Sequence, residues 1–140
     1  IYTNIRNYGH GDITEYYYTW EAAVRIVNNI SGWHLPSMDE FDTLAAAVGG
    51  LSIAGTKLKS TYGWEQPDEG TDDYVFTALP AGYWSGSFYN FGWSAYFWTT
   101  TFYSTDIAYF RQLYRANASM TSNTSSSKYP AYSVRLVKDV

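Results

Sequence analysis

The chain contains no cysteine, two histidines and four prolines, and charged side chains make up only 16% of its 140 residues. Without cysteine there are no disulfides, no thiolate nucleophile and no Cys-based zinc site, in whatever compartment the protein works. Nine basic residues stand against thirteen acidic ones, for a net charge of -4. The Lys and Arg are scattered rather than clustered, which excludes nucleic acid as a partner, because phosphate-backbone binding rests on concentrated positive charge. No apolar run approaches the ~20 residues of a membrane-spanning helix. The two histidines, His10 and His34, lie in no nucleophile-elbow or similar context, so a Ser-His-Asp hydrolase is not indicated. His34, between Trp33 and Leu35-Pro36, reads as a hydrogen-bonded structural histidine. The start at Ile1 reads as that of a mature fragment, with any export signal upstream. At this length the chain is one domain, residues 1–140, able to bury about two-thirds of its unfolded surface.

Aromatics, by contrast, are abundant: six Trp, fifteen Tyr and seven Phe make up 20% of the chain. They crowd between Tyr83 and Tyr114, where close to every second residue carries a ring. In a run such as Tyr96-Phe97-Trp98, strand alternation sends successive rings to opposite faces, so some rings are expected to meet solvent. Their neighbours are Ser, Thr, Asn, Gly and Ala, interrupted by few charges. Rigid rings beside small adaptable polar groups are the composition of antibody-like paratopes. This points to a non-enzymatic binding module.

The spacing of Trp20, Ala23, Val24 and Val27 predicts a helix after Thr19, ending by Asn28-Asn29. A second helix is signed by Ser37 as N-cap, Glu40 three residues later, the stripe Phe41, Leu44, Ala45 and Val48, and a stop at Gly49-Gly50. Residues 1–15 read as an irregular or strand-like entry broken by Gly9 and Gly11. Beyond Gly55 the pattern predicts short strands at residues 57–59, 74–79, 97–101, 108–114 and 132–138, with a Ser/Thr/Asn-rich loop over residues 116–127. Two helices followed by strands predict an α+β fold, with the two N-terminal helices packed on short antiparallel strands joined by long loops.

Several phrases resemble one family. They are Gly32-Trp33-His34-Leu35-Pro36-Ser37, Ala54-Gly55-Thr56-Lys57-Leu58-Lys59-Ser60-Thr61, Gly63-Trp64, Gly70-Thr71-Asp72-Asp73-Tyr74, Gly86-Ser87-Phe88, Tyr96-Phe97-Trp98-Thr99-Thr100, Ala108-Tyr109-Phe110-Arg111, Lys128 and Ser133-Val134-Arg135. In order and spacing they are similar to the Fibrobacter major paralogous domain family, from about Tyr18 to Asp139. The resemblance implies a C-type-lectin-like fold of the branch shared with formylglycine-generating enzymes. It also implies an exported bacterial cell-surface protein, of the kind found as adhesins and pilus tips in Bacteroidota and as variable proteins of diversity-generating retroelements. Formylglycine generation needs reactive cysteines, and this chain has none. Leu136 stands where many members of the family carry Cys.

Composition and resemblance give one expected face, made of Tyr83, Trp84, Phe91, Trp93, Tyr96, Phe102, Tyr103, Phe110, Gln112, Tyr114 and Asn117, contacting a protein or glycan partner on another cell or surface. Trp84 and Trp93, among Gly, Ser and Tyr, read as contact residues; Trp20, Trp33, Trp64 and Trp98 read as core. Arg111 and Arg135 read as structural ion pairs or hydrogen-bond forks. The acidic stretch over residues 65–73 has two readings. It supplies oxygen ligands of the kind calcium takes, with Asp68, Asp72 and Asp73 as candidates, or it is a solvated charged turn in which Asp72 or Asp73 caps local amides. The turn is preferred and no cofactor is assigned, calcium being the only one entertained. Two other functions stay open, a calcium-assisted carbohydrate-binding lectin and a structural filament subunit; the isolated domain is expected to be monomeric.

Overall fold

The computed structural model describes residues 1–65 and 70–140. The entry is a regular hairpin, in which β1 (Tyr2–Asn7) and β2 (Asp12–Tyr17) pair antiparallel, Tyr2 opposite Tyr17 and Asn7 opposite Asp12. Gly9 and Gly11, at φ of 97° and 95°, supply the left-handed backbone of its turn. The helix α1 (Trp20–Val27) follows Thr19, which has the extended backbone of an N-cap although its side chain makes no capping bond. After β3 (Trp33–His34) comes α2 (Met38–Ala47), with the expected capping box: the Ser37 hydroxyl accepts from the Glu40 amide at 3.1 Å, and the Glu40 carboxylate accepts from the Ser37 amide at 3.0 Å.

A third helix, α3 (Leu51–Leu58), corrects the expected pair of helices and the expected strand at residues 57–59. Leu51, Ala54 and Leu58 keep helical spacing, and the inward face of α3 is buried. Gly55 sits inside this helix where backbone from another segment lies so close that a Cβ would be 2.5 Å from the Ser119 carbonyl oxygen, which leaves no room for a side chain. Residues 74–79 form no strand either. Asp72, Val75 and Thr77 have φ of 46°, 57° and 53°, which coils the segment, and only Ala78 bridges to Lys59.

The remaining elements are β4 (Tyr83–Trp84), β5 (Phe88–Tyr89), β6 (Ser94–Phe102), β7 (Ile107–Tyr114), β8 (Ser125–Ser127) and β9 (Val137–Lys138). The expected loop over 116–127 thus ends in a strand, and the expected strand over 132–138 shrinks to its last pair, with residues 131–133 forming single bridges to Trp84, Tyr18 and Phe97. The order β6-β7-β8 makes the main antiparallel sheet; β1-β2, β4-β5 and β3-β9 are two-stranded. The fold is α+β, with three helices and several small antiparallel sheets.

The main sheet is covered on both faces, which decides the fate of most rings. Ala95, Phe97 and Leu113 point into a core built with Phe41, Ala45, Ala54, Leu58 and Trp64 under α2 and α3. Tyr96, Trp98, Ala108 and Phe110 point the other way, into a core closed by Ala23 and Val27 of α1, Leu35 and Tyr132. Tyr96, Phe97 and Trp98 are therefore all buried, at 7%, 4% and 0% exposure. The expectation that some rings of this run meet solvent fails here because α1 and residues 131–133 cover what an antiparallel sheet often leaves wet.

Candidate functional site

Where β6 and β7 meet, the sheet changes character. Trp98 pairs with Phe110 and then Phe102 with Ala108, so Thr99, Thr100 and Thr101 bulge against the single residue Tyr109. Local bonds hold the bulge: the Thr99 hydroxyl donates to the Tyr109 carbonyl at 2.9 Å, and the Thr100 amide donates to the Pro36 carbonyl at 2.9 Å. The hairpin then turns tightly, with the Tyr103 amide donating to the Ile107 carbonyl at 2.8 Å. Beyond the covered sheet, this tip carries Phe102 and Tyr103 out to 58% and 72% exposure.

Two other segments gather around it. Trp20, at the start of α1, donates its indole N–H to the Thr99 carbonyl at 2.8 Å and meets Phe102 edge-on at 5.6 Å. The Lys128 ammonium lies 4.1 Å from the Trp20 ring centre and 4.8 Å from that of Phe102, a cation held on two π faces. Tyr129 beside it is 70% exposed. A recess of about 360 Å³ opens beside Lys128 and Tyr129, lined as well by Thr19, Glu21, Thr105, Asp106 and Ser127.

Of the eleven residues expected on one face, only Phe102 and Tyr103 lie at this tip. Trp93, Tyr114 and Asn117 are at the opposite end of the hairpin, since Ser94 pairs with Tyr114; at ~3.3 Å per residue the nine residues of β6 separate the two ends by roughly 25 Å. There the Arg115 guanidinium lies 4.2 Å from the Trp93 ring centre, Trp93 is 39% exposed and Asn117 is exposed. Tyr96 and Phe110 belong to the core and are corrected out of any surface. Tyr83 is half-buried against Tyr89, Tyr96 and Tyr132. Trp84 stacks on Tyr2 at 3.5 Å, so its ring is engaged by the entry hairpin rather than offered to a partner. Phe91 packs under Arg6 and beside Tyr8. Gln112 donates to the Ser94 hydroxyl and the Tyr96 hydroxyl at 3.1 and 3.3 Å.

Trp20, Glu21, Asp106, Lys128 and Tyr129 were not expected at a surface site. Their signal in the sequence is faint, an isolated Lys-Tyr-Pro after a Ser-rich run. Trp64 and Trp98 are core as expected, but Trp33 is 43% exposed.

The polar expectations meet varied ends. Asp72 accepts from the Thr77 amide and hydroxyl, both at 2.7 Å, as a turn residue does. Asp73 pairs with the Lys57 ammonium, whose hydrogen bond lowers the Asp73 pKa. Asp68 lies outside the described residues. Among the described residues no three His, Asp or Glu side chains converge as a metal site. Arg111, fully buried, donates to Asp42 at 2.7 Å and to the Met38 and Thr121 carbonyls at 3.2 and 3.1 Å. Arg135 donates to the Thr77 carbonyl at 3.1 Å and stacks on Phe76. His34 is hydrogen-bonded on both nitrogens, Nε2 to Glu40 at 2.7 Å and Nδ1 to Asp139 at 2.6 Å. Carboxylates accept only, so both contacts are hydrogen bonds together when the ring is an imidazolium. The bonds to Glu40 and then Asp139 raise its pKa above the ordinary 6.5.

No curated protein and no solved structure matches the chain. Residues 1–138 match the family model of the Fibrobacter succinogenes major domain. With almost its whole length matched, the chain belongs to the Fibrobacter succinogenes major domain family.

Proposed function

We propose that this domain is a non-enzymatic binding module that holds a protein or glycan partner through the tip of the β6–β7 hairpin. One observation carries the reading. Phe102, Tyr103 and Tyr129 stand at 58%, 72% and 70% exposure, Tyr129 on the wall of a recess, in a chain that buries Tyr96, Phe97 and Trp98 almost completely. Large exposed rings grouped around a concavity are what contact surfaces use, because each ring covers much area for little entropy loss. The bulge at Thr99–Thr101 presents two of them rigidly, which lowers the ordering penalty of binding.

The wider setting is also proposed: a C-type-lectin-like domain on an exported bacterial surface protein, as an adhesin or pilus tip. The tip then faces outward to another cell. Diversification by a retroelement belongs to the same reading, since Phe102-Tyr103-Ser104 and Ala116-Asn117 are residue types that mutation at adenines generates. A near-copy template beside a reverse transcriptase gene is its signature, and a locus with neither contradicts it.

The test of the binding reading is a screen of the purified domain against glycan and surface-protein arrays, with calcium and again with chelator. Hits that survive chelation and are lost with Tyr103→Ser support the tip. Hits that all survive Tyr103→Ser place the contact elsewhere.

A further inference from the structure

The recess beside the tip gathers several polar side chains that the fold itself does not use. Asp12, Glu15, Glu40, Asp42, Glu65, Asp72, Asp73 and Asp139 each engage a partner through the side chain, while the exposed Asp39 carboxylate, away from the recess, engages none among the described residues. The Glu21 and Asp106 carboxylates, on the recess walls, engage none among the described residues. The Lys128 ammonium rests on two rings, and none of its three N–H groups makes a hydrogen bond among the described residues. Thr105 and Ser127 add hydroxyls to the same walls. Acceptors, donors and groups that do both thus converge, unpaired among the described residues, on one concavity walled on one side by the exposed ring of Tyr129.

That mixture selects a ligand class. A small anion would meet Glu21 and Asp106, and a small cation would meet Lys128, so either uses half the site and opposes the other half. A neutral polyol uses all of it, because every sugar hydroxyl both donates to a carboxylate and accepts from an ammonium or hydroxyl. The apolar C–H face of a pyranose then has the Tyr129 ring to lie against. At about 360 Å³ the recess sits near the small end of ligand pockets, which run from ~300 to ~1,000 Å³. We propose that it binds a neutral hexose-type sugar residue of a glycan, without a metal, through Glu21, Asp106 and Lys128 with Tyr129 as the stacking face. The assignment rests on the reading of the hairpin tip as the binding face. The recess is open, so one sugar residue binds at a Kd on the order of 1 mM. Useful avidity comes from several copies on one surface.

The experiment is an amide-shift titration of the ¹⁵N-labelled domain with the methyl pyranosides of glucose, galactose, mannose and N-acetylglucosamine, and with their unbranched trisaccharides, in chelator. Expected are saturating shifts, for at least one of these sugars, confined to residues around Glu21, Thr105–Asp106 and Ser127–Tyr129. Affinity should fall at least ~10-fold with Asp106→Asn plus Glu21→Gln, substitutions that keep shape and remove charge. Tyr74→Ser, an exposed ring on the distant 72–77 turn, should change nothing. Absence of saturating shifts with every sugar, or shifts that centre elsewhere, overturns the sugar assignment. The array screen separates the two failures. A protein hit lost with Tyr103→Ser, together with no sugar binding, keeps the tip as a contact face and discards the sugar. Hits indifferent to Tyr103→Ser discard both.

Discussion

Removing the Arg111 guanidinium by Arg111→Met should destabilise the domain more than removing its carboxylate partner by Asp42→Ala. The asymmetry follows from burial. The Arg111 side chain is 1% exposed, whereas the Asp42 side chain is 51% exposed. Arg111→Met fills most of the volume but takes the donor from the Met38 and Thr121 carbonyls, which tie α2 and the segment before β8 to β7. Each buried carbonyl left without a donor costs ~1–3 kcal/mol, less where water reaches it, so about 2–4 kcal/mol is expected in total. Asp42→Ala leaves both carbonyl contacts in place and removes a charge that water already half-solvates, for about 1–2 kcal/mol, below the ~3–5 kcal/mol of a fully buried broken pair. Urea unfolding followed by circular dichroism reads both. With an m-value of ~1–3 kcal/mol/M, Arg111→Met should move the midpoint by roughly 1 M or more at unchanged m. Near-neutral Arg111→Met, or Asp42→Ala as the worse variant, refutes the reasoning.

Gly55→Ala should destabilise by about 1 kcal/mol or more, although Ala is favoured over Gly in a helix by ~1 kcal/mol, because the new methyl meets the backbone of residues 118–119; a raised urea midpoint would contradict the packing. The clasp between β3 and β9 should be strongest at mildly acidic pH. The His34 pKa is raised, so its contribution is fully present below the ordinary 6.5 and is lost as pH rises through the higher folded value. Burial pushes the Glu40 carboxyl up, but its hydrogen bonds to His34 and Ser37 outweigh that and leave its pKa lowered, so its contribution disappears as pH falls through the folded value. Amide exchange at Trp33 and Lys138, followed against pH, should show protection falling on the alkaline side in the wild type and not in His34→Gln; a flat wild-type profile would contradict it.

The parts of this fold that were legible in the sequence are those fixed by near neighbours. The capping box of Ser37 and Glu40 is a contact between residues three apart, and the stripe of α2 repeats every turn, so both read directly. α3 escaped because Gly49, Gly50 and Gly55 look like breakers and Lys57-Leu58-Lys59 alternates like a strand. The helix is held instead by residues 118–120, far along the chain, through bonds such as the Thr56 amide to the Ala118 carbonyl. The site was half legible for the same reason. Composition marks the aromatic run, but which rings are covered depends on Ala23 and Val27 at one end of the chain and Tyr132 at the other. Nothing local distinguishes buried Tyr96 from exposed Tyr103. The bulge that separates them follows from register, and the lysine that completes the tip arrives from twenty-five residues beyond Tyr103.

The central claim is that the hairpin tip binds and does not hold the fold together. The direct test is Phe102→Ser with Tyr103→Ser, measured for partner binding and for thermal midpoint on the same sample. Both rings are more than half exposed, so the expected result is binding reduced beyond detection and a midpoint lowered by no more than a few degrees. Unchanged binding, or a domain that unfolds on substitution, would contradict it.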